Sequence, residues 1–165
     1  MFSKLKRIAK QKNYREFIKL YDKSYGLNKI VFALKSQIKL LFRRNTLTLQ
    51  DILNGLITGQ SVPPDEYRSL IAHSRVIFDT QASYQDGLTA RFMWALGAGK
   101  KIITTNPHVR EYDFYNEDQF YVLDNNINEI EGFISKPFVV SELQRKMIEP
   151  YRIDNWLKTI LKITK

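Results

Sequence analysis

A polar loop that follows a short apolar segment contains the side chains best suited to bind an anion. The segment RVIFD covers residues 75–79, and the chain continues from Thr80 to Arg91 as TQASYQDGLTAR. Gly87 permits close approach of a ligand to the backbone, Thr89 supplies a hydroxyl, and Arg91 supplies a guanidinium that can donate two hydrogen bonds to phosphate oxygens. These residue types predict a phosphate-binding loop.

A second polar loop lies at the end of the apolar segment KIITT (101–105) and comprises Thr104, Thr105, Asn106, Pro107 and His108. In parallel sheets the strands end at a shared edge, where helix N-termini present unpaired N–H groups. We therefore expect both loops to line one crevice. His108 is a candidate hydrogen-bond donor or base there, although a single histidine more often has no catalytic role.

The glycines and lysines of this region also have a purely structural interpretation. The first loop matches neither G-x-G-x-x-G nor Walker A, so Gly87 is alternatively a turn residue with Asp86 as helix N-cap. Gly97 and Gly99 are expected to end the following helix. Lysine is favourable near a helix C-terminus, so Lys100 and Lys101 fit the end of that helix.

The elements that position these loops alternate between strand and helix. Compact apolar segments indicate buried strands, and segments with three- and four-residue apolar spacing indicate helices. This order predicts an α/β fold: a Rossmann-like parallel sheet with helices on both faces, preceded by an N-terminal helical arm. The predicted strands are 75–79, 101–105 and 120–123. From residue 64 onward the predicted helices are 64–71, 88–96, one containing Ile130 and Phe133, 141–148 and 154–163.

The predicted organisation is one domain over residues 1–165. A helical arm covers about residues 1–25, with helical spacing from Phe2 to Tyr25 and a stop at Gly26. The binding core covers about 65–135 and the C-terminal helices about 139–163. Between arm and core, KIVFAL at 29–34 is compatible with a buried strand or with the start of a helix.

Composition excludes several classes of protein. The 165 residues include no cysteine, which excludes disulfide frameworks, thiol nucleophiles and cysteine-ligated metals. The 44% hydrophobic and 13% aromatic content argues against disorder. No apolar stretch is long enough to span a bilayer and no secretory leader is evident, so we expect a cytoplasmic protein.

The positive charge is concentrated at the N-terminus. Residues 1–50 contain 13 basic and 2 acidic residues, a net charge of +11, whereas residues 51–165 carry −2. The basic positions alternate with apolar ones at helical spacing, which predicts an amphipathic helix with a cationic face. That face is either simply solvated or, over residues 1–44, contacts the anionic inner face of the cytoplasmic membrane. Nucleic acid is the weaker alternative, because the chain carries no nucleic-acid-binding motif.

The stretch from Ser74 to Asp124 resembles a family of bacterial lipopolysaccharide and capsular polysaccharide biosynthesis proteins. It is similar to the C-terminal, donor-binding half of a GT-B type glycosyltransferase. The matching motifs are QDGLTAR at 85–91, ALGAGKKIITTN at 95–106 and YDFYN at 112–116.

The resemblance implies a glycosyltransferase that uses a nucleotide-diphosphate sugar as donor and a lipid-linked or saccharide acceptor, with no metal or other cofactor. Its substrate-binding residues would include those next to the donor diphosphate and those facing the cleft. Carried onto this sequence, they are Gln85, Gly87, Leu88, Thr89, Arg91, Thr104, Thr105 and Asn106. The resemblance identifies no catalytic residue, but it implies that the departing nucleoside diphosphate would be stabilised by Arg91, by the helix N-terminus at 87–89 and by Lys100 or Lys101.

Two departures from the family qualify this expectation. The family usually places a glutamate, which binds ribose hydroxyls, where this chain has Trp94. Because an indole accepts no hydrogen bond, either Trp94 stacks on the base or another residue binds the ribose. The chain is also too short for an acceptor domain, so we expect either a truncated remnant of the enzyme or a partner chain that supplies this domain. The alternative function is a non-catalytic interaction or membrane-docking module derived from the same fold.

Overall fold

The computed structural model describes residues 2–18, 20–21, 57–58, 60–81, 84–123 and 129–163. The chain divides into two compact units, residues 1–64 and residues 65–165. The predicted element at 29–34 and residues 22–44 of the basic segment lie outside the described residues. The prediction that residues 1–165 form one domain stays a prediction.

The first unit begins with the amphipathic helix that the spacing predicted. Helix α1 (Phe2–Gln11) buries Leu5, Ile8 and Ala9, which share one face because they lie three and four residues apart. Two short strands follow, β1 (Leu20–Tyr21) and β2 (Ile57–Thr58), and they pair in parallel.

Helix α1 is shorter than predicted. It ends at Gln11, and the expected continuation to Tyr25 is wrong, because Asn13 adopts a left-handed backbone conformation with φ of 53°. The Asn13 amide donates to the Lys10 carbonyl at 3.3 Å and the Tyr14 amide to the Ala9 carbonyl at 2.8 Å. This is the Schellman arrangement that ends a helix, and asparagine tolerates its left-handed residue better than most side chains do.

The second unit contains a parallel sheet of three strands in the order β3-β4-β5. These are β3 (Val76–Asp79), β4 (Lys101–Thr104) and β5 (Phe120–Val122), so all three predicted strands are confirmed. The register pairs Asp79 with Thr104 and Thr104 with Val122, which aligns the carboxyl ends of the strands at one edge.

Among the described residues, five helices belong to the same region. Helix α2 (Pro64–His73) precedes the sheet, α3 (Ala90–Gly97) connects β3 to β4, and α4 (Ile130–Ser135), α5 (Glu142–Ile148) and α6 (Ile153–Ile163) follow β5. Short 3₁₀ helices occupy Pro107–Glu111 and Glu149–Tyr151. The α/β class is therefore confirmed. Across the described part of the chain, no helix has the length and apolar character required to cross a membrane.

The core of the second unit is built around aromatic rings. Phe92 of α3 and Phe120 of β5 are buried and stack with centroids 5.7 Å apart. Phe114 packs edge-on against Tyr151 at 4.8 Å, which ties the segment after α5 to the sheet. The packing of large rings fixes the strands relative to one another and so positions the loops at their ends.

Candidate functional site

The loops after β3 and β4 are joined at the carboxyl edge of the sheet, as the sequence predicted. The Thr105 amide donates to the Asp79 carbonyl at 3.2 Å, and Thr105 Oγ1 accepts from the Gln81 amide at 3.3 Å. The Gln81 side chain in turn donates from Nε2 to the Gln85 carbonyl at 2.6 Å. Thr105 and Gln85 therefore shape the loops through internal hydrogen bonds.

Asn106 connects the second loop to the first. Its fully buried side chain donates from Nδ2 to the carbonyls of Asp86 at 3.0 Å and Gly87 at 3.5 Å, and its Oδ1 accepts from the His108 amide at 2.9 Å. Its own amide donates to Thr104 Oγ1 at 3.1 Å. These polar groups are buried and hydrogen-bonded to one another. Thr104 and Asn106 therefore fix the position of the backbone that faces the crevice.

Thr89 begins helix α3 and anchors it to the sheet. Its hydroxyl accepts from the Phe92 amide at 3.0 Å, which makes Thr89, not Asp86, the N-cap. The same hydroxyl donates to Asp79 Oδ1 at 2.7 Å. Leu88 is half-buried against the core beside it. The helix start is thereby fixed to the end of β3.

Arg91 lies at the predicted edge, but two of its donors are already engaged. Its Nε donates to Asp79 Oδ1 at 3.0 Å and its Nη2 to the Thr80 carbonyl at 2.8 Å. Asp79 is 1% exposed, whereas the Arg91 side chain is 44% exposed. The Nε and Nη2 groups form one edge of the guanidinium, so this edge binds the protein itself. The main role that the geometry gives Arg91 is to neutralise the buried Asp79.

Gly87 is exposed, and a Cβ atom built there would meet nothing within 4 Å. Its φ is not positive. Packing and backbone conformation therefore do not require glycine at this position, and the space above Gly87 is open to a ligand.

Beside Gly87 lies an open cavity of about 470 Å³. Its volume falls in the range of small-molecule sites. The cavity is lined by Asp86, Gly87, His108, Glu111, Tyr112 and Tyr151. Of these six residues, only Gly87 belongs to the predicted set of binding residues.

His108 lies between two carboxylates of the cavity. Its Nδ1 is 2.7 Å from Glu111 Oε1, and its Nε2 is 4.0 Å from Asp86 Oδ1. The hydrogen bond to Glu111, the charge of Glu111 and, less strongly, the charge of Asp86 raise the pKa of His108 above 6.5. The arrangement favours the imidazolium, which can donate a proton or a hydrogen bond into the cavity. The spacing of three residues between His108 and Glu111 in PHVRE is the sequence signal for this pair.

Two tyrosines form the aromatic part of the lining. Tyr112 and Tyr151 meet edge to face with centroids 5.8 Å apart. The Tyr151 hydroxyl donates to Asp113 Oδ1 at 2.8 Å. Burial, that hydrogen bond and the charge of Asp113 raise the pKa of Tyr151 to about 12. Tyr151 comes from a distant part of the sequence, and no local motif identifies it.

The lysines after α3 lie away from this edge, contrary to the suggestion that they assist a departing phosphate. Lys100 Nζ donates to the Ala72 carbonyl at 2.7 Å, at the end of α2. Lys101 Nζ donates to the carbonyls of Phe133 and Lys136. Lys101 is the first residue of β4, and the crevice lies at its other end, about 10 Å away at the usual rise per strand residue.

The described residues contain no group of three or more histidine, aspartate or glutamate side chains placed to hold a metal ion. No protein-family model, curated protein or solved structure matches this chain. The resemblance to polysaccharide biosynthesis proteins is therefore carried by the sequence motifs alone.

Proposed function

We propose that this chain is the donor-binding domain of a GT-B type glycosyltransferase of bacterial lipopolysaccharide or capsular polysaccharide synthesis. The observation that carries the proposal is the cavity at the carboxyl edge of the parallel sheet, next to Gly87 and the start of α3. In open α/β folds this edge is where ligands bind.

The lining suits the sugar better than the diphosphate. Asp86 and Glu111 would repel phosphate oxygens, but carboxylates accept hydrogen bonds from sugar hydroxyls. Tyr112 and Tyr151 offer aromatic surface for the apolar face of a pyranose ring. The diphosphate then lies outside the cavity, over the open backbone at Gly87 and toward the N-terminus of α3, where the helix dipole favours negative charge.

In this scheme His108 is placed to assist departure of the nucleoside diphosphate. Its raised pKa favours the protonated imidazole at the end of the cavity that carries Asp86. A cationic donor near the leaving oxygen stabilises charge that grows as the glycosidic bond breaks. Arg91 contributes by holding Asp79 and the first loop in place.

Isothermal titration of the full chain with UDP, GDP, CMP and their sugars tests the proposal. We expect Gly87→Leu to abolish binding because its side chain fills the space assigned to the diphosphate. Gly132→Leu is the matched control, since a Cβ at Gly132 also meets nothing within 4 Å. Absence of binding at millimolar ligand to the folded chain would overturn the proposal.

A non-catalytic interaction module is the second candidate, and one observation favours it. The Nε and Nη2 donors of Arg91 are engaged by Asp79 and by the Thr80 carbonyl. If the chain is such a module, we expect it to bind a partner or a membrane. Nucleotide sugars should not change that binding. Titration with the nucleotides in the presence and absence of anionic vesicles separates the two functions.

A further inference from the structure

Two aromatic side chains form a platform beside Arg91. Trp94 of α3 and Tyr67 of α2 contact each other, with ring centroids 5.5 Å apart and ring planes inclined by 54°. Trp94 is 54% exposed, whereas Tyr67 is half-buried. Arg91 lies three residues before Trp94 in α3, so the two side chains share one face of the helix. An indole that a second ring holds in place and that solvent still reaches is suited to stack on a planar ligand.

The platform, Tyr67 and Trp94, lies toward the carboxyl edge of the sheet. The C-terminus of α2 is at the opposite edge, because the Ala72 carbonyl accepts from Lys100, which directly precedes β4. Tyr67 is near the N-terminus of the same helix. Burial raises the pKa of Tyr67, the charge of Arg91 lowers it and the charge of Asp79 raises it, so the phenol lies within reach of that ion pair. The platform is therefore next to the start of α3.

Three hydrogen-bond donors of this surface have no protein partner among the described residues. They are the Tyr67 hydroxyl, the Trp94 indole N–H and the Nη1 group of Arg91. The other edge of the guanidinium, Nε and Nη2, is the one that binds Asp79 and the Thr80 carbonyl. A partly desolvated donor without a partner gains free energy when a ligand supplies an acceptor. The surface thus suits a ligand that is planar, anionic and rich in acceptors.

We propose that Tyr67, Trp94 and Arg91 bind the nucleoside end of the donor, with the base stacked on Trp94 and a phosphate oxygen on Arg91 Nη1. A nucleotide combines a planar ring, ring acceptors and a phosphate, and these are the three features that the surface complements. The inference rests on the proposed function and gives the donor a direction. The sugar lies in the cavity beside Tyr151, the diphosphate over Gly87, and the base over α3.

The position of the platform on α3 allows one donor to occupy both places. Trp94 is about 6 Å along the helix axis from Ala90, the first residue of α3, at the usual rise per residue. A ribose and a phosphate group span this distance. A neutral saccharide could stack on the same rings, but it would leave Arg91 Nη1 without an anion. The nucleotide is therefore the occupant that the surface fits.

Fluorescence quenching of the full chain tests the stacking. Trp156→Phe leaves Trp94 as the remaining tryptophan, since the sequence has two. We expect UDP and GDP to quench its emission saturably, because a stacked base replaces solvent on the indole. Inorganic pyrophosphate, which has no base, should leave the emission nearly unchanged. Equal quenching by pyrophosphate and UDP would overturn the assignment of the base to Trp94.

Isothermal titration of variants measures the contribution of the ring. Trp94→Leu should weaken UDP binding about tenfold or more, the usual effect of losing a base–aromatic stack. Trp94→Tyr should restore most of the affinity, because it keeps an aromatic ring. The matched control is Trp156→Leu on α6, since Trp156 is 51% exposed and Trp94 54%, and this variant should bind UDP normally. If circular dichroism shows Trp94→Leu to be misfolded, the quenching measurement, which changes no residue of the platform, decides.

The outcomes separate this inference from the proposed function. Unchanged UDP affinity in folded Trp94→Leu would overturn the nucleoside site and leave the proposed function standing. An equal loss of affinity in Trp156→Leu would likewise overturn the site. If neither nucleotides nor nucleotide sugars bind the unaltered chain, the proposed function fails and this inference fails with it.

Discussion

The carboxylate of Asp79 and the guanidinium of Arg91 form an ion pair in which the acid is buried and the base is half-exposed, with Oδ1 and Nε 3.0 Å apart. The pair joins the last residue of β3 to the first turn of α3. A buried charge is costly without a partner, so the arginine most suited to bind phosphate is engaged in neutralising the strand end.

Arg91→Ala should therefore destabilise the protein. Asp79 would keep its hydrogen bond from Thr89 but lose its positive partner, and we expect the free energy of unfolding in urea to fall by about 1–3 kcal/mol. The matched control is Arg68→Ala, which removes an ion pair to Asp65 exposed on both sides and should cost about 0.5 kcal/mol or less. Equal effects of the two variants would contradict the role given to Asp79.

The titration of His108 should depend on Glu111. Nuclear magnetic resonance of the ring protons is expected to give a pKa above 6.5, and Glu111→Gln should lower it by removing the hydrogen bond and the charge. Because the folded state favours the imidazolium, the pair stabilises the fold below pH 6.5, and this contribution is lost as pH rises through the raised pKa. His73 is the other histidine, so a His73→Asn variant assigns the signals.

Tyr151 should ionise at an unusually high pH. Near-ultraviolet titration of tyrosinate is expected to show a group with a pKa of about 12 that Tyr151→Phe removes. Since the folded state favours the neutral phenol, its contribution to stability is complete below pH 10 and is lost between pH 10 and about 12. Asp113→Asn should lower this pKa, and an unchanged value would argue against the hydrogen bond as a cause.

Two glycines near the end of α3 should respond oppositely to alanine. Gly99 has φ of +63°, and a Cβ there would lie 2.8 Å from Val140 Cγ2, so Gly99→Ala should cost about 1–3 kcal/mol. At Gly97 a Cβ meets nothing within 4 Å, and Gly97→Ala should be neutral or stabilising by up to about 1 kcal/mol. Thermal unfolding measures both. A neutral Gly99→Ala would contradict the left-handed turn.

The sheet was predictable because its strands are short, apolar and separated by helices of regular spacing. The position of Thr104, Thr105 and Asn106 at the carboxyl edge of the sheet was predictable from the same alternation of strands and helices. Sequence reasoning did not find the Arg91–Asp79 pair, because the burial of Asp79 depends on packing across the sheet. It extended α1 too far because amphipathic spacing continues past Asn13, whose left-handed backbone ends the helix.

The cavity was less predictable than the edge it lies on. His108 and Glu111 lie three residues apart and were within reach of local analysis. Tyr151 is brought to them by the aromatic packing of Phe114, more than thirty positions earlier in the chain. Contacts of that sequence separation depend on the complete fold.

The position of Tyr151 has a practical consequence for work with fragments. A proteolytic product or shortened variant ending at α5 would keep every strand of the sheet and every residue that the sequence singled out for binding. It would nevertheless lack one wall of the cavity, together with the phenol that Asp113 holds in place. Ligand screening on such a fragment would test an incomplete cavity. A negative result would therefore say little about ligand binding by the intact chain.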